Sequence, residues 1–308
     1  MISKIKYLQN LQADEALHAE VYKRLAASTK GNAKAKTVLE KLYRIEKSHA
    51  ALLQKLLIMN GGNAKGGINR ISLFGVMLAR KLLGFTFAIK LMEYNKLLIN
   101  ERFRNALRSF RFNANERSLL GTLEKGEKVE DMLSNLLLSL NSVLANIRDV
   151  VFGMNDGLVE VLAATVGFSA ALQEPLLVLI AGSLVAVSGA LSMSGGAYLS
   201  TKYEKVISAA NSKGKIPVRS ALYTGLFYIL GAIFPILPFA FGIGGMGGIA
   251  ASIILTAIVL MLTSTLIAVL SNESISKRVA ESLLISLGAA AVTIALGFYA
   301  RYALHIIV

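Results

Sequence analysis

The sequence contains no cysteine and no tryptophan, and only 3 of its 308 residues are histidines. Without cysteine, the chain cannot form a disulfide framework, a thiolate zinc site, an iron–sulfur cluster or a cysteine nucleophile. Three histidines are also too few for the histidine-box site of a lipid desaturase-type enzyme. In contrast, 54% of the chain is hydrophobic and its mean hydropathy is +0.57. A chain with 33 Lys and Arg residues that is nevertheless this apolar is not an ordinary soluble protein. Its charged and apolar residues must therefore lie in different parts of the sequence.

The charge is concentrated in the N-terminal half. Residues 1–149 hold 25 of the 33 Lys and Arg residues and 13 of the 19 Asp and Glu residues, which gives a net charge of +12, and the remaining 8 and 6 give +2. This split predicts a basic domain at residues 1–145 and a membrane domain at residues 146–308. The positive charge is explained by contact with anionic lipid and by the excess of Lys and Arg that cytoplasmic loops of membrane proteins carry. We expect no nucleic-acid partner, because no RNP-like motif or interleaving of basic and aromatic residues occurs.

The C-terminal half contains long apolar stretches. Residues 175–201, 220–270 and 282–300 carry no charged side chain, and residues 150–173 carry only Asp156 and Glu160. About 20 apolar residues span a hydrocarbon core, and glycines at 242–248 divide the longest stretch. The sequence therefore predicts five transmembrane helices, at about residues 151–172, 176–199, 218–241, 249–270 and 281–303.

Loop charges predict the orientation. The loop after the second span carries Lys202, Lys205, Lys213, Lys215 and Arg219, and the loop after the fourth carries Lys277 and Arg278, whereas the first and third loops carry no Lys or Arg. The positive-inside rule then places the N-terminal domain in the cytoplasm and the C-terminus outside.

Two acids in the first predicted span are the strongest local signal. Asp156 and Glu160 are four residues apart and so share one helix face. Carboxylates in a bilayer are costly and usually face a functional cavity. Asp156 could instead lie near the headgroups and cap the helix. Met193, in the second span, could simply pack in the core, but its thioether is also a plausible ligand for a divalent transition metal.

Three ordered motifs resemble the vacuolar iron transporter family. They are the stretch 148–158, the stretch 189–204, and Tyr228 followed by Pro235 and Pro238. The resemblance covers about residues 146–308. It implies a dimeric five-helix domain that moves Fe²⁺ and Mn²⁺ out of the cytosol in exchange for protons.

The resemblance also implies a set of transport residues. Asp156 and Met193 match metal ligands of the pathway, and Tyr228 matches its tyrosine. Val185 stands where some members have a Glu, and Glu160 supplies a carboxylate on the first span instead. The stretch 205–219 is too short for the cytoplasmic metal-binding domain of plant members, of which only Glu204 remains.

Residues 1–145 are predicted to form four helices, at about 3–28, 33–59, 71–108 and 115–144. Their length and apolar periodicity favour a four-helix bundle. Carboxylate-bridged di-metal bundles need single Glu residues on two helices and Glu-x-x-His pairs on the other two. The chain offers Glu15, Glu93 and the pair Glu46 and His49, whereas its fourth helix has Glu127 and Glu130.

This N-terminal segment resembles the rubrerythrin-type, ferritin-like domain of some prokaryotic members of the same family. The resemblance implies a possible di-iron centre, and a protein of the prokaryotic cell membrane. This chain departs from the pattern of that domain at Glu130, where a His is usual, and at Lys96, where a Glu is frequent. A lysine there should weaken metal binding. The implied ligands are Glu15, Glu46, His49, Glu93, Glu127 and Glu130.

Three functions remain open from the sequence. The first is an all-α transporter, not an enzyme, that exports Fe²⁺ or Mn²⁺ by proton antiport as a homodimer, with the bundle capturing or sensing metal. The second is a membrane-anchored di-iron ferroxidase. The third is a sensor or structural membrane protein with a vestigial bundle. The pattern Gly153-x-x-x-Gly157 lends the homodimer modest support.

Overall fold

The computed structural model describes residues 4–29, 32–63, 68–124, 127–138, 141–172, 174–207 and 216–304. These residues form ten α-helices and contain no strand, which confirms the all-α prediction. The chain divides into two compact units, Met1–Asn141 and Ser142–Val308, called the first and the second unit below. The helices are α1 (Lys4–Ser28), α2 (Ala33–Met59), α3 (Arg70–Ser109), α4 (Ala114–Glu124), α5 (Glu127–Leu138), α6 (Asn141–Leu172), α7 (Pro175–Ile207), α8 (Pro217–Ala240), α9 (Gly245–Ser271) and α10 (Ile275–Leu304).

The first unit is built on leucine-rich helix faces. The first three predicted helices correspond to α1, α2 and α3, and the fourth corresponds to α4 and α5, on either side of residues outside the described part. The ferritin-like assignment of this unit stays a prediction. Leucines from α1 and α2 meet side chains from α3 and α4 and are removed from water, which stabilises the unit. This core contains Leu8, Leu11, Leu53, Leu56, Leu57, Ile99, Phe112 and Leu120.

A polar junction fixes the start of α4. Asn113 and Glu116 form a capping box, in which each side chain accepts a hydrogen bond of 2.8 Å from the other residue's backbone N–H. The Glu116 carboxylate also accepts hydrogen bonds from Lys4 Nζ and Asn60 Nδ2. The junction therefore links α1, the end of α2 and α4.

Helix α3 is interrupted at Gly84. Its φ of 90° and ψ of 175° are not helical, so two helical segments meet at a kink there. The segment before the kink exposes Ile71, Phe74 and Leu82, whereas Thr86 to Ile89, just after it, are buried. The two halves of α3 therefore have different surroundings.

Among the described residues, six helices are long and apolar enough to cross a membrane. Five are α6 to α10, and they correspond to the five predicted spans. The sixth lies in α3, at Arg70–Asn105, where the sequence predicted a helix of the bundle. Because Glu93 and Lys96 of α3 are buried in the first unit, we interpret α3 as a helix of that unit.

Glycines bring α6 and α8 into backbone contact. A Cβ atom on Gly153 would lie 2.3 Å from the carbonyl oxygen of Thr224, and one on Gly157 would lie 2.1 Å from that of Tyr228. Small residues allow such close approach of helices in a membrane. The Gly153-x-x-x-Gly157 motif is therefore used within one chain. The motif therefore lends the homodimer no support, and the homodimer stays a prediction.

Candidate metal pathway and buried ion cluster

The second unit contains a cavity of about 430 Å³ between α6, α7 and α8. Three of its lining residues are acids, one offers a thioether, and several offer hydroxyl groups. Oxygen ligands suit hard divalent cations, and a thioether adds preference for a transition metal. The lining residues are Arg148, Asp149, Phe152, Asp156, Met193, Gly196, Ala197, Ser200, Thr201, Glu204, Ser220 and Thr224.

Helical periodicity explains why these side chains converge. Asp149 and Asp156 are seven residues apart on α6 and lie on one face, two turns apart. Met193 and Glu204 are three turns apart on α7, again on one face. Each helix therefore contributes a polar stripe to the same cavity.

Asp156, Met193 and Glu204 were predicted from the sequence as transport residues, and the structure brings them to this one cavity. Asp156 is half-buried, so its carboxylate is neither in bulk water nor sealed in the core. Met193 also packs against the buried cluster that contains Tyr228, so it has a structural contact as well.

Glu160 and Tyr228 form a separate pair. The Tyr228 hydroxyl donates a hydrogen bond of 2.6 Å to Oε2 of Glu160. Tyr228 is fully buried, and a Cβ on Gly189 would lie 2.1 Å from its hydroxyl oxygen. Glu160 is exposed on the surface of the single chain, one helical turn beyond Asp156. Neither residue lines the cavity, although both were predicted for the same path.

Asp149 was missed by the sequence reasoning. Its Oδ2 accepts a hydrogen bond of 2.6 Å from Ser220 Oγ, which fixes the carboxylate at the wall of the cavity. Its spacing of seven residues from Asp156 was the signal that could have identified it.

A second group of titratable side chains is buried in the first unit. Of the predicted bundle ligands, the structure brings together Glu15, Glu46 and His49. His49 Nδ1 lies 3.5 Å from Oε2 of Glu46 and 3.8 Å from Oε2 of Glu15. Lys96 Nζ lies 3.0 Å from both carboxylates. We call Glu15, His18, Glu46, His49 and Lys96 the buried ion cluster.

The other predicted bundle ligands are placed differently. Glu93 Oε1 accepts a hydrogen bond of 3.0 Å from Ser134 Oγ, and its Oε2 pairs with Lys90. The side chains of Glu127 and Glu130 lie outside the described part of the structure, so their prediction stays untested.

His18 is the residue of this cluster that the sequence reasoning missed. It is 2% exposed, and its ring contacts that of Tyr22. Glu15, His18 and Glu46 each offer one ligand atom, and these atoms lie within 4.8 Å of one another. The signal was present in the sequence, because Glu15 and His18 form a second Glu-x-x-His pair on α1.

Burial and mutual contact shift the protonation equilibria of the cluster. Burial and the neighbouring Glu15 carboxylate raise the pKa of Glu46 to about 7. Burial opposes ionisation of Glu15 too, but the hydrogen bond with Glu46 and the charge of Lys96 lower the pKa of Glu15 below its usual value. Burial lowers the pKa of His18 to about 4. Hydrogen bonds to Glu15 and Glu46 outweigh burial and raise the pKa of His49 to about 9.

Comparison with known proteins identifies relatives of the second unit. The profile of the VIT family matches residues 147–214 and 206–298. The chain is 32% identical over 106 residues to Vacuolar iron transporter homolog 4 of Arabidopsis thaliana, a match that covers 31% of this chain and 54% of that protein. It is 30% identical over 161 residues to Vacuolar iron transporter homolog 1 of the same plant, covering 49% of this chain and 80% of that protein.

The chain thus spans about half the length of the first relative and four fifths of the second. Together with the six long apolar helices, this similarity identifies an integral membrane protein.

Proposed function

Because the chain belongs to the VIT family, we propose that its second unit transports divalent transition-metal ions, Fe²⁺ or Mn²⁺, out of the cytoplasm in exchange for protons. The single observation that carries this proposal is the cavity in which Asp149, Asp156, Glu204 and Met193 converge. The names of both relatives include iron, which supports Fe²⁺ as an ion that is carried.

The ligand types support a transition metal. Three carboxylates supply hard oxygen ligands and negative charge, and the Met193 sulfur adds a softer ligand that Mg²⁺ and Ca²⁺ do not favour. The arrangement is therefore suited to Fe²⁺ or Mn²⁺ among the abundant cytoplasmic cations.

Proton exchange follows from the same carboxylates. A carboxylate binds a metal ion when it is ionised and releases the ion when it takes up a proton. If the outer compartment is more acidic, protons that enter the cavity displace the metal outward. Asp156 is the residue to which we assign this competition, and the Tyr228 hydroxyl orients the Glu160 carboxylate one turn further along α6.

We propose the orientation that the loop charges favour, with the N-terminal unit in the cytoplasm and the C-terminus outside. Lys202 and Lys205 at the end of α7 and Lys277 and Arg278 at the start of α10 then lie on the cytoplasmic side. We further propose a homodimer, because Glu160, an acid in an apolar span, is exposed in the single chain and would be costly against lipid.

The sequence also suggested that the first unit captures or senses metal, or acts as a ferroxidase. Glu15, His18 and Glu46 support metal binding by their proximity, whereas Lys96 opposes it by its charge. We give the lysine more weight, because its ammonium group contacts both carboxylates, and we therefore assign transport to the second unit alone.

Flux through liposomes tests the proposal. In Asp156→Asn the carboxylate is replaced by an amide of the same shape, so we expect normal folding and a loss of Mn²⁺ flux of about tenfold or more. Glu281→Gln is the matched control, because Glu281 is an acid on α10 that is away from the cavity lining. Unchanged flux in Asp156→Asn would reject the assigned role.

A further inference from the structure

The buried ion cluster already contains a cation at its centre. Lys96 Nζ lies 3.0 Å from Oε1 and from Oε2 of Glu15, and 3.0 Å from Oε2 of Glu46. An ammonium group has three protons to donate, and these three oxygens accept all of them. Lys96 is 3% exposed and Glu46 is fully buried, so water does not screen this contact.

A metal ion at the same carboxylates would have to displace the ammonium group. Carboxylate oxygens bind transition metals at about 2.0–2.2 Å, which would bring the metal within a few ångströms of Nζ. Two cations at that distance repel each other strongly in a buried site. Moving the ammonium away from both acids would leave a buried charge unpaired, which is strongly unfavourable.

We propose that Lys96 takes the place of a metal ion in the first unit, so that Glu15 and Glu46 form a structural ion cluster that does not bind Fe²⁺ or Mn²⁺. The di-iron centre implied by the N-terminal resemblance does not fit these residues. This inference concerns the first unit and is independent of transport by the second.

The proximity of Glu15 and Glu46 has a simpler cause than a metal, and His18 lies one helical turn from Glu15 on α1. Acids that pair with one buried ammonium group must lie close together, and Lys96 pairs with both. Within the described residues, His18 Nδ1 and Glu46 Oε1 are buried without a hydrogen-bond partner. They offer one nitrogen and one oxygen, fewer than the three protein ligands of a typical open metal site.

Removing the positive charge should convert the cluster into a metal site. In Lys96→Glu, a third carboxylate would join Glu15 and Glu46, beside His18 and His49. That set matches the chemistry of carboxylate-bridged metal sites in helical bundles. In Lys96→Met, the positive charge disappears while a side chain of similar length fills the space.

Metal stoichiometry of the full-length protein in detergent tests the proposal. After equilibrium dialysis against Mn²⁺, we would count bound ions by elemental analysis in the unmodified protein, Glu46→Gln, Lys96→Glu and Lys96→Glu/Glu46→Gln. Ions bound by the second unit are common to all four proteins and cancel in the differences. A circular dichroism spectrum typical of α-helix and a single size-exclusion peak confirm that each variant folds.

We expect the unmodified protein and Glu46→Gln to bind equal numbers of ions. Lys96→Glu should bind at least one more, and the double variant should lose that extra ion. If Lys96→Glu does not fold, Lys96→Met is compared in its place, with the same expected gain. A lower stoichiometry in Glu46→Gln than in the unmodified protein overturns the proposal, and so does a folded Lys96 variant that gains no ion.

Discussion

At the residue scale, single side chains of this protein have two kinds of surroundings. In the second unit, the half-buried Asp156 lines a cavity that a cation could enter. Acids in the first unit, such as Glu15 and Glu46, are paired with Lys96 and are not available. The same residue type therefore has different surroundings in the two units, because Glu15 and Glu46 lie within hydrogen-bond distance of a lysine, and we propose transport for Asp156 and a structural role for the other two.

Met193 allows a test of the metal preference. In Met193→Leu the side chain keeps its size, so its packing against the cluster around Tyr228 is retained while the thioether is lost. We expect Fe²⁺ flux to fall roughly tenfold, a loss of about 1.4 kcal/mol, and Mn²⁺ flux to fall less, because Mn²⁺ binds soft ligands more weakly. Competition between the two ions in liposomes measures the ratio. An unchanged ratio would mean that Met193 is only a packing residue.

His49 gives the first unit a pH dependence. The pKa of His49 is raised from 6.5 to about 9 in the folded protein by Glu15 and Glu46, so its protonated form stabilises the fold. Lys96 and His18 are the other charged or titratable members of this cluster. The stabilisation is complete below about pH 6.5 and is lost as the pH rises through 9.

We therefore expect the backbone amides of α1 and α2 to lose protection from hydrogen exchange between pH 6.5 and 9.5, after correction for the intrinsic exchange rates. In His49→Gln, protection at pH 6.5 should be lower and its fall over this range should be smaller. Equal pH profiles in the two proteins would contradict the account.

At the element scale, glycine decides how helices bend and how closely they approach. Gly84 holds a backbone conformation that bends α3, and Gly157 lets α6 touch the backbone of α8. The first effect depends on dihedral angles and the second on the space available to a Cβ atom, so each has its own control.

Gly84→Ala tests the bend in α3. The φ of 90° and ψ of 175° are accessible to glycine but strained for any other residue, at a cost of roughly 1–3 kcal/mol. Gly75→Ala is the matched control, because a Cβ at either position meets nothing within 4 Å, but Gly75 is helical. We expect Gly84→Ala to lower the thermal unfolding midpoint and Gly75→Ala to leave it unchanged or raise it. Equal shifts in the two variants would exclude backbone strain as the cause.

Gly157→Ala tests the contact between α6 and α8. The added Cβ would lie 2.1 Å from the Tyr228 carbonyl oxygen, and a backbone atom cannot move aside as a flexible side chain can. We expect destabilisation of about 2 kcal/mol or more and a loss of Mn²⁺ flux, since α6 also carries Asp156. Gly195→Ala on α7 is the control, because nothing lies within 4 Å of its Cβ. Similar unfolding midpoints for both variants would show that the close contact is not important.

At the scale of the whole molecule, the membrane helices could be predicted from the sequence and the contacts between distant residues could not. Long apolar stretches locate α6 to α10, because hydrocarbon thickness sets the length of a span. The lysine at 96 was recognised as unusual for a metal site. Its contact with Glu15, 81 positions away, depends on how α1 packs against α3, which no local pattern specifies.

Local spacing marks some of the residues that were missed, and distant contacts determine the others. Asp149 and His18 follow helical spacings from predicted ligands and could have been found. The partner of the Gly153-x-x-x-Gly157 surface could not, because small residues permit close packing within one chain and between chains alike. Glu160 and Tyr228 were placed in the path with Asp156, and only the structure separates their hydrogen-bonded pair from the cavity lining.

The most direct test of the central claim, that metal ions cross the membrane past Asp156 in exchange for protons, is a simultaneous record of Mn²⁺ and proton movement in liposomes. A metal-sensitive dye and a pH-sensitive dye would report the two fluxes for the unmodified protein and for Asp156→Asn. We predict that the unmodified protein moves protons against the direction of Mn²⁺, and that a pH gradient alone drives Mn²⁺ uphill. Both fluxes should disappear in Asp156→Asn. Mn²⁺ flux that persists in the variant, or that is insensitive to the pH gradient in the unmodified protein, would contradict the account.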